Sequence, residues 1–160
     1  MDRADHLGEP MKIAAATQAD SADWAALRQA LWPNGNIARH AADIAALLDA
    51  PEDTINLIAR LADGRAVGLA EASLRHDYVN GCKTSPVAFL EGIYVAPDHR
   101  RRGIAGQLVA RVEDWARSHG CTEFASDTGL DNLASQQMHG ALGFSETQRV
   151  VFFRKVLGKP

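Results

Sequence analysis

The amino-acid sequence predicts an α/β fold built around a mixed β-sheet. Short apolar segments of strand-like composition alternate with segments whose apolar residues recur at helical spacing. One segment, 87–95, is apolar along almost its whole length and runs into an amphipathic helix that begins at Ile104. Such a strand is typical of the centre of a sheet with helices on its faces. The predicted order is β-α-α-β-β-β-α-β-α-β.

The first half of the chain predicts a strand, two helices and a β-hairpin. Thr17 and Asp20 resemble a capping box at the start of the first helix, and Pro33 stops that helix. Asp63-Gly64 is a strong signal for a tight turn between two strands. The predicted elements are a strand over 11–16, a helix that ends before Pro33, a helix over about 37–48, and strands over 55–61 and 66–74.

The second half predicts a loop, three strands and two helices. The polar segment 75–86 contains Asn80-Gly81 and reads as a loop or as the tip of another hairpin. Gly120 and Gly143 are good residues for closing the helices that precede them. The predicted elements are strands over 87–95, 122–126 and 150–157 and helices from Ile104 to Gly120 and over 133–142.

Composition and charge place the chain among ordinary globular domains. Hydrophobic residues make up 46% and charged residues 23% of the 160 residues, which favours a single domain over 11–160 after a disordered extension, 1–10. The net charge of -3 gives no long-range attraction to nucleic acid or to an anionic membrane, so we expect neither as a partner. Cys82 and Cys121 predict neither a disulfide framework nor a metal site, which fits a reducing cytoplasm.

The junction between segment 87–95 and the following helix is the strongest functional signal. The turn carries Arg100-Arg101-Arg102-Gly103, and a helix N-terminus adds N–H groups and a partial positive charge. The glycine lets the backbone approach an anion without an intervening Cβ. The junction therefore predicts a site for the phosphate or pyrophosphate of a cofactor, with a solvated basic turn as the alternative.

Glu91 interrupts the apolar strand that leads to this junction. A carboxylate at such a position is costly to bury unless it is paired or functional. We favour a functional role, and the alternative is an ion pair with Arg75 or Arg60. The neighbouring Gly92 is a candidate position for a β-bulge that moves the strand away from its neighbour. Asp127 follows the next short strand, at the end where parallel sheets bind ligands, and its alternative role is a helix cap or Asx-turn.

Two motifs resemble those of the GNAT N-acetyltransferase superfamily. They are Ile93-Tyr94-Val95-x-Pro97-x-x-Arg100-x-x-Gly103-x-Ala105 and Asn132-x-x-Ser135-x-x-x-His139-x-x-Leu142-Gly143-Phe144. Four further segments resemble the aminoglycoside 6'-N-acetyltransferases, namely Leu31-Trp32-Pro33, Phe89-Leu90-Glu91-Gly92-Ile93, Ala125-Ser126-Asp127 and Glu146-Thr147-x-Arg149-Val150-Val151. The likeness extends from about Met11 to Leu157. It implies the GNAT fold, a mixed central sheet of about six to seven strands flanked by about four helices.

The resemblance implies acetyl-CoA as the cofactor. Backbone groups of Ile93 and Val95 are then expected to pair with the pantetheine arm, and N–H groups from Arg101 to Gly106 to hold the pyrophosphate. The implied cofactor-binding residues are Ile93, Tyr94, Val95, Arg100, Arg101, Arg102, Gly103, Ile104, Ala105, Gly106, Asn132 and Ser135.

The residues themselves and the resemblance together predict catalytic and acceptor-binding residues. The catalytic set is Glu91, Asp127 and His139, and the acceptor-binding set is Trp32, Asp77, Tyr78, Glu91 and Asp127. His139 stands where many superfamily members carry a Tyr that protonates the departing thiolate, and it is equally well explained as a packing residue. Trp32 is a sugar-binding wall or a core residue. The loop with Asp77 and Tyr78 lines the acceptor cleft or contacts a second subunit.

Together these inferences predict an acetyl-CoA-dependent N-acetyltransferase that modifies the 6'-amine of aminoglycoside antibiotics. Attack is direct, with Glu91 as the first choice of general base and Asp127 as the second, and no metal takes part. The family implies a homodimer formed through C-terminal strands. Two alternatives stay open, namely a GNAT enzyme for another amine, such as a polyamine or a protein N-terminus, and a non-catalytic acyl-CoA-binding module.

Overall fold

A computed structural model describes residues 11–159, so the predicted disordered extension, 1–10, lies outside the described residues. The chain forms two compact units, one that ends at Asp127 and one that begins at Thr128. The regular elements are β1 (Lys12–Ala15), α1 (Ser21–Leu31), α2 (Ile37–Asp49), β2 (Thr54–Arg60), β3 (Ala66–Arg75), β4 (Val87–Val95), α3 (Ile104–Ser118), β5 (Phe124–Ser126) and α4 (Leu133–Ala141). Within the described residues, no helix has the length and apolar character of a membrane span.

The first unit is built on a five-stranded sheet in the order β1-β2-β3-β4-β5. Strands β1 to β4 pair antiparallel with their neighbours, whereas β5 runs parallel to β4, which confirms the predicted mixed sheet. The predicted turn between β2 and β3 is also correct. Gly64 has a φ of +90°, which favours glycine, and the Leu61 amide donates to the Arg65 carbonyl across the turn at 2.9 Å.

Short-range hydrogen bonds set the ends of the helices. The Asp20 carboxylate accepts from the Thr17 amide at 2.8 Å, as the predicted capping box requires, and a single 3₁₀ turn joins this box to α1. The Asn36 side chain accepts from the Arg39 amide at 2.9 Å and caps α2. Gly120, with a φ of +79°, follows the end of α3 as predicted.

Helices cover both faces of the sheet. Leu69 of β3 lies in one core cluster with Trp24 of α1 and Ile44 of α2. A Cβ added to the preceding residue, Gly68, would lie 3.3 Å or less from Ile104 and Leu108 of α3. Because successive strand residues point to opposite faces, α1 and α2 cover one face and α3 covers the other. Full burial of each large apolar side chain in these layers stabilises the fold by about 1.5–3 kcal/mol.

The predicted final strand over 150–157 is wrong, and the sheet has five strands rather than six or seven. Residues 145–157 contain no helix or strand, and Phe152 and Phe153 are 86% and 93% exposed. The apolar run has strand-like composition, but a strand requires a neighbouring strand to accept its backbone hydrogen bonds. Among its described residues, the second unit contains α4 as its regular element and offers no such neighbour.

Candidate active site

Strands β4 and β5 separate at the point where two carboxylates follow them. The last ladder pair between these strands is Leu90 with Ser126, so Glu91 and Asp127 are the next residues on the two strands. Both residues are exposed. In the β3–β4 ladder Glu91 is the extra residue of a bulge, which confirms the irregularity predicted beside Gly92. The structure thus brings two of the predicted catalytic residues to one edge of the sheet.

Glu91 is half-exposed, and its side chain accepts hydrogen bonds from residues of strand β3. Its Oε1 accepts from the Ser73 hydroxyl at 2.6 Å and from Arg75 Nη2 at 2.9 Å, and its Oε2 accepts from Arg75 Nη2 at 3.0 Å. The predicted alternative, an ion pair with Arg75, is therefore present, whereas Arg60 pairs with Asp20 and Asp23 at the start of α1. With fewer bonds than Oε1, Oε2 keeps the capacity to accept from an amine or a water.

Trp32 packs against Gly92, the residue that follows Glu91 in β4. The residue follows the end of α1 and is half-buried, so it is not a core residue. A Cβ added to Gly92 would lie 2.6 Å from Cζ2 of the indole and 2.8 Å from Leu31, which means that only glycine fits at this position of the bulge. The bulge and the indole therefore depend on each other for their positions.

The loop between β3 and β4 carries the two other predicted acceptor-binding residues. Asp77 and Tyr78 are both exposed on this loop. The loop is anchored by Glu123, whose Oε1 accepts from the amides of Lys83 and Thr84 at 2.8 Å each. The Thr84 hydroxyl and the Lys83 amide lower the pKa of the Glu123 carboxyl. No motif singled out Glu123, because its partners lie about 40 residues away along the chain.

The basic turn before α3 has the open backbone that an anion requires. Arg101 and Gly103 have φ values of +62° and +79°, in the left-handed region. A Cβ built on Gly103 or Gly106 would meet no described protein atom within 4 Å. The first-turn N–H groups of a helix have no intrahelical acceptor, so this surface fits a pyrophosphate.

Arg100 holds the basic turn to the end of β4. Its Nε donates to the Val95 carbonyl at 2.8 Å, and its guanidinium lies 5.8 Å from the centroid of the Tyr94 ring. The next amide, of Ala96, donates to the Val67 carbonyl of β3 at 2.8 Å. Because backbone groups alternate along a strand, Val95 directs its own polar groups to the other edge of β4. Strand β5 does not extend along this part of that edge, since its last pair with β4 is at Leu90. The resemblance places the pantetheine arm there.

In the second unit, two predicted cofactor-binding residues organise the start of α4. The Asn132 side chain accepts from the Ser135 amide at 3.2 Å and caps the helix. His139 Nδ1 lies 2.7 Å from the Ser135 carbonyl, and its ring packs edge-on against Phe144 at 5.3 Å between centroids. Because a carbonyl only accepts, Nδ1 carries a proton. A second proton, on Nε2, is therefore needed before His139 can act as an acid at that atom.

A buried ionic group lies behind the bulge, and sequence reasoning missed its most connected member, Arg28. Glu71 of β3, 4% exposed, accepts from Arg28 Nη1 at 2.6 Å and from Trp24 Nε1 at 2.8 Å. Burial raises the pKa of the Glu71 carboxyl, and the bonds from Trp24 and Arg28 oppose that rise. The sequence does carry one sign of this buried group, because Glu71 is an isolated acid in an apolar strand, as Glu91 is.

Neither cysteine is set up as a nucleophile. Cys82 and Cys121 are free thiols, and burial raises the pKa of both. For Cys82 the nearby Glu123 carboxylate raises the thiol pKa further. Because the thiolate is the reactive form, these environments favour direct transfer over a covalent acyl-enzyme.

Comparisons with known proteins agree with the geometry. Residues 24–144 match the sequence model of the Acetyltransferase (GNAT) family. The aminoglycoside N(6')-acetyltransferase type 1 of Serratia marcescens is 56% identical over 135 residues, which cover 84% of this chain and 92% of that protein. The protein of the same name from Acinetobacter genomosp. 13 is 51% identical over 148 residues, or 92% of this chain and 100% of the relative.

Two solved structures share the fold over nearly the whole chain. The aminoglycoside antibiotic 6'-N-acetyltransferase AAC(6')-Ih from Acinetobacter baumannii is 48% identical with a TM-score of 0.88, over 93% of this chain and 100% of that one. AAC(6')-Iy, solved in complex with the bisubstrate analogue CoA-S-monomethyl-acetylneamine, is 49% identical with a TM-score of 0.86, over 92% of this chain and 99% of that one.

Proposed function

Since the chain belongs to the GNAT acetyltransferase family, we propose that it transfers acetyl groups where β4 and β5 separate, to the 6'-amine of aminoglycoside antibiotics. It is an acetyl-CoA-dependent N-acetyltransferase. The observation that carries the proposed site is the placement of Glu91 and Asp127 immediately after the last β4–β5 ladder pair, with the Trp32 indole packed on the neighbouring Gly92.

Glu91 is the proposed general base. A primary amine is mostly protonated at neutral pH, so a proton must be removed before the nitrogen can attack. The Ser73 hydroxyl and the Arg75 guanidinium hold the carboxylate in one orientation and leave Oε2 with acceptor capacity. Oε2 accepts the proton directly or through a water. Asp127, on the adjacent strand end, is the second choice and attracts the cationic acceptor.

The proposed cofactor site is the edge of β4 together with the start of α3. When bound, acetyl-CoA supplies an acetyl group activated as a thioester. The proposed backbone partners of the pantetheine arm are Ile93 and Val95, and the open N–H groups from Arg101 to Gly106 hold the pyrophosphate. A cofactor held in this way would be fixed with respect to Glu91, and holding the two reactants together would supply much of the acceleration.

His139 is the proposed acid for the departing thiolate. Its Nδ1 proton is committed to the Ser135 carbonyl, so the proton to be donated is the one on Nε2. Asn132 and Ser135, at the start of the same helix, are proposed to contact the cofactor.

We also propose that two copies of the chain associate through residues 150–157. Val151, Phe152, Phe153 and Leu157 are exposed in this segment. Large contiguous exposed apolar patches mark interaction sites on soluble proteins.

Steady-state kinetics with Glu91→Gln test the base. We expect kcat/KM for a 6'-amino aminoglycoside to fall roughly 100-fold, because an amide oxygen cannot take the proton. The matched control is Glu113→Gln on α3, which removes a similarly exposed carboxylate paired with Arg117 and should leave turnover unchanged. Full turnover by both Glu91→Gln and Asp127→Asn would contradict the proposed bases.

The acceptor is tested by comparing aminoglycosides that carry a 6'-amine with those that carry a 6'-hydroxyl. We expect turnover of the former alone, since the hydroxyl is a much weaker nucleophile at neutral pH. Similar rates with both would contradict the 6' position. A preference for a polyamine over either would contradict the antibiotic as the acceptor.

A further inference from the structure

The guanidinium of Arg28 connects the elements that surround Trp32. Arg28 of α1 is 8% exposed, and it donates to Glu71 Oε1 of β3 at 2.6 Å and to Asp43 Oδ2 of α2 at 3.0 Å. Its Nε lies 3.3 Å from Nδ1 of the buried His40, and its Cζ lies 4.8 Å from the centroid of the Trp32 ring. Four partners, two of them on α2, therefore converge on one side chain.

The anionic end of this group is rigid. Glu71 is buried and also accepts from Trp24 Nε1 at 2.8 Å, so both carboxylate oxygens are occupied. In the β3–β4 ladder Glu71 lies opposite Gly92, the residue against which the Trp32 indole packs. A buried ion pair gives little net stability, but removal of one partner leaves an uncompensated charge. Its location behind the bulge points to a role other than stability.

The indole of Trp32 contacts Gly92, Arg28 and the His40 ring, which stacks on it at 6.5 Å between centroids. Its Cζ2 and Cη2 atoms lie against Gly92, and its face is covered by the Arg28 guanidinium. We propose that Arg28 is a positioning residue for the acceptor: anchored by the buried Glu71, it fixes the Trp32 ring against the β4 bulge and so sets the affinity for the antibiotic sugar. This inference rests on the proposed function of the site.

The geometry favours arginine over lysine at this position. A guanidinium is planar, stacks on an indole face and donates in several directions at once, whereas an ammonium is a compact charge on a flexible stem. In the Arg28→Lys variant the ammonium would keep one bond to Glu71 and lose either the bond to Asp43 or the contact with the ring. The substitution therefore separates the positioning role from the need to neutralise Glu71.

Arg28→Lys is expected to raise the KM for the aminoglycoside about tenfold, the range of one cation–π contact, with kcat and the KM for acetyl-CoA nearly unchanged. Arg60→Lys is the matched control, because Arg60 also joins α1 to the sheet through two carboxylates, Asp20 and Asp23, away from Trp32. We expect it to affect thermal stability alone. An equal increase in the acceptor KM in both variants would overturn the proposal.

A double-mutant cycle shows whether Arg28 acts through the indole. In a Trp32→Ala background Arg28→Lys should no longer change the acceptor KM, and a persisting increase would overturn the proposal. Asp43→Asn keeps the test valid if Arg28→Lys is too unstable, since Asp43 is half-exposed. Asp43→Asn should raise the acceptor KM about two- to threefold in the native background and should not change it in the Trp32→Ala background. The same increase in both backgrounds would show that Asp43 binds the acceptor directly, and it would overturn the proposal.

A spectroscopic measurement separates failure of this inference from failure of the proposed function. The chain has 3 Trp, so 5-fluorotryptophan labelling gives three ¹⁹F resonances, and Trp32→Phe assigns one of them. Arg28→Lys should shift and broaden the Trp32 resonance, and Arg60→Lys should not. A wild-type protein without aminoglycoside turnover would refute the function whatever the spectrum, whereas an active wild type with an unaltered Trp32 resonance in Arg28→Lys would refute the positioning role.

Discussion

At the scale of single residues, Arg101 shows that the basic turn holds a non-glycine residue in a left-handed conformation. Its φ is +62°, beside Gly103 at +79°. A left-handed conformation costs an ordinary L-residue roughly 1–2 kcal/mol, so we expect Arg101→Gly to be more stable to unfolding than Arg101→Ala by about 1 kcal/mol. Urea unfolding of the two variants measures this difference. Both lose the same charge, so both should raise the KM for acetyl-CoA equally.

Equal unfolding free energies in the two Arg101 variants would show that the turn is not strained. Unequal KM values would show that the conformation, and not only the charge, contributes to cofactor binding. The single-residue comparison is clean because neither alanine nor glycine adds a new hydrogen-bonding group.

Single residues of the site differ in whether they can be predicted from the sequence. Glu91 was visible because an acid in an apolar strand needs an explanation, and its bond to Arg75 confirms one of the predicted alternatives. Arg28 was not visible, because a basic residue on an amphipathic helix ordinarily faces solvent. Its partner Glu71 lies 43 residues away in sequence, and no local pattern joins the two.

At the scale of elements, the 3₁₀ turn that precedes α1 is stabilised by one carboxylate. The Thr17 amide, and next the Arg60 side chain, lower the pKa of Asp20 below its usual 3.8. The carboxylate therefore stabilises the fold above the unfolded-state pKa, and that contribution is lost as the pH falls through the lower folded-state pKa. We expect Asp20→Ala to reduce the free energy of unfolding by about 1 kcal/mol at neutral pH, the usual cost of a lost cap.

Urea titrations from pH 7 down to below pH 3.8 check this expectation, since the difference between wild type and Asp20→Ala should shrink over that range. Asp49→Ala, at the last residue of α2, is the control. It should cost nothing, because an acid at a helix C-terminus is opposed by the helix dipole. A cost for Asp20→Ala that does not change with pH would show that neither the Thr17 amide nor Arg60 is the cause.

The helices and strands differ in whether nearby residues or distant ones determine where they form. Asn36, Pro33 and Gly120 fix helix ends through contacts within a few residues, and the predicted helices agree with the structure to within about two residues at these positions. Strand β4 has the predicted bounds because its apolar composition is enough for a central position. The strand predicted over 150–157 also begins with an apolar run, but composition cannot supply the neighbouring strand that it needs.

At the scale of the whole molecule, the unpaired C-terminal segment leads to a prediction about assembly. Phe152 and Phe153 are consecutive and exposed. Because consecutive residues of any strand point to opposite faces, this segment would present apolar side chains on both faces. Two apolar faces need cover, and the proposed association with a second copy of the chain would provide it. We therefore expect a particle of twice the chain mass of 17.3 kDa.

Sedimentation velocity of the native chain and of Phe152→Asp/Phe153→Asp tests this expectation. A charge on each face should convert the dimer to the single chain, because an unpaired carboxylate is costly to bury in an apolar interface. Ile37→Asp is the matched control, since Ile37 is an exposed apolar residue at the start of α2, where an acid favours the helix. A native chain that sediments at 17.3 kDa would show that there is no dimer. A double variant that stays dimeric would show that the interface lies elsewhere.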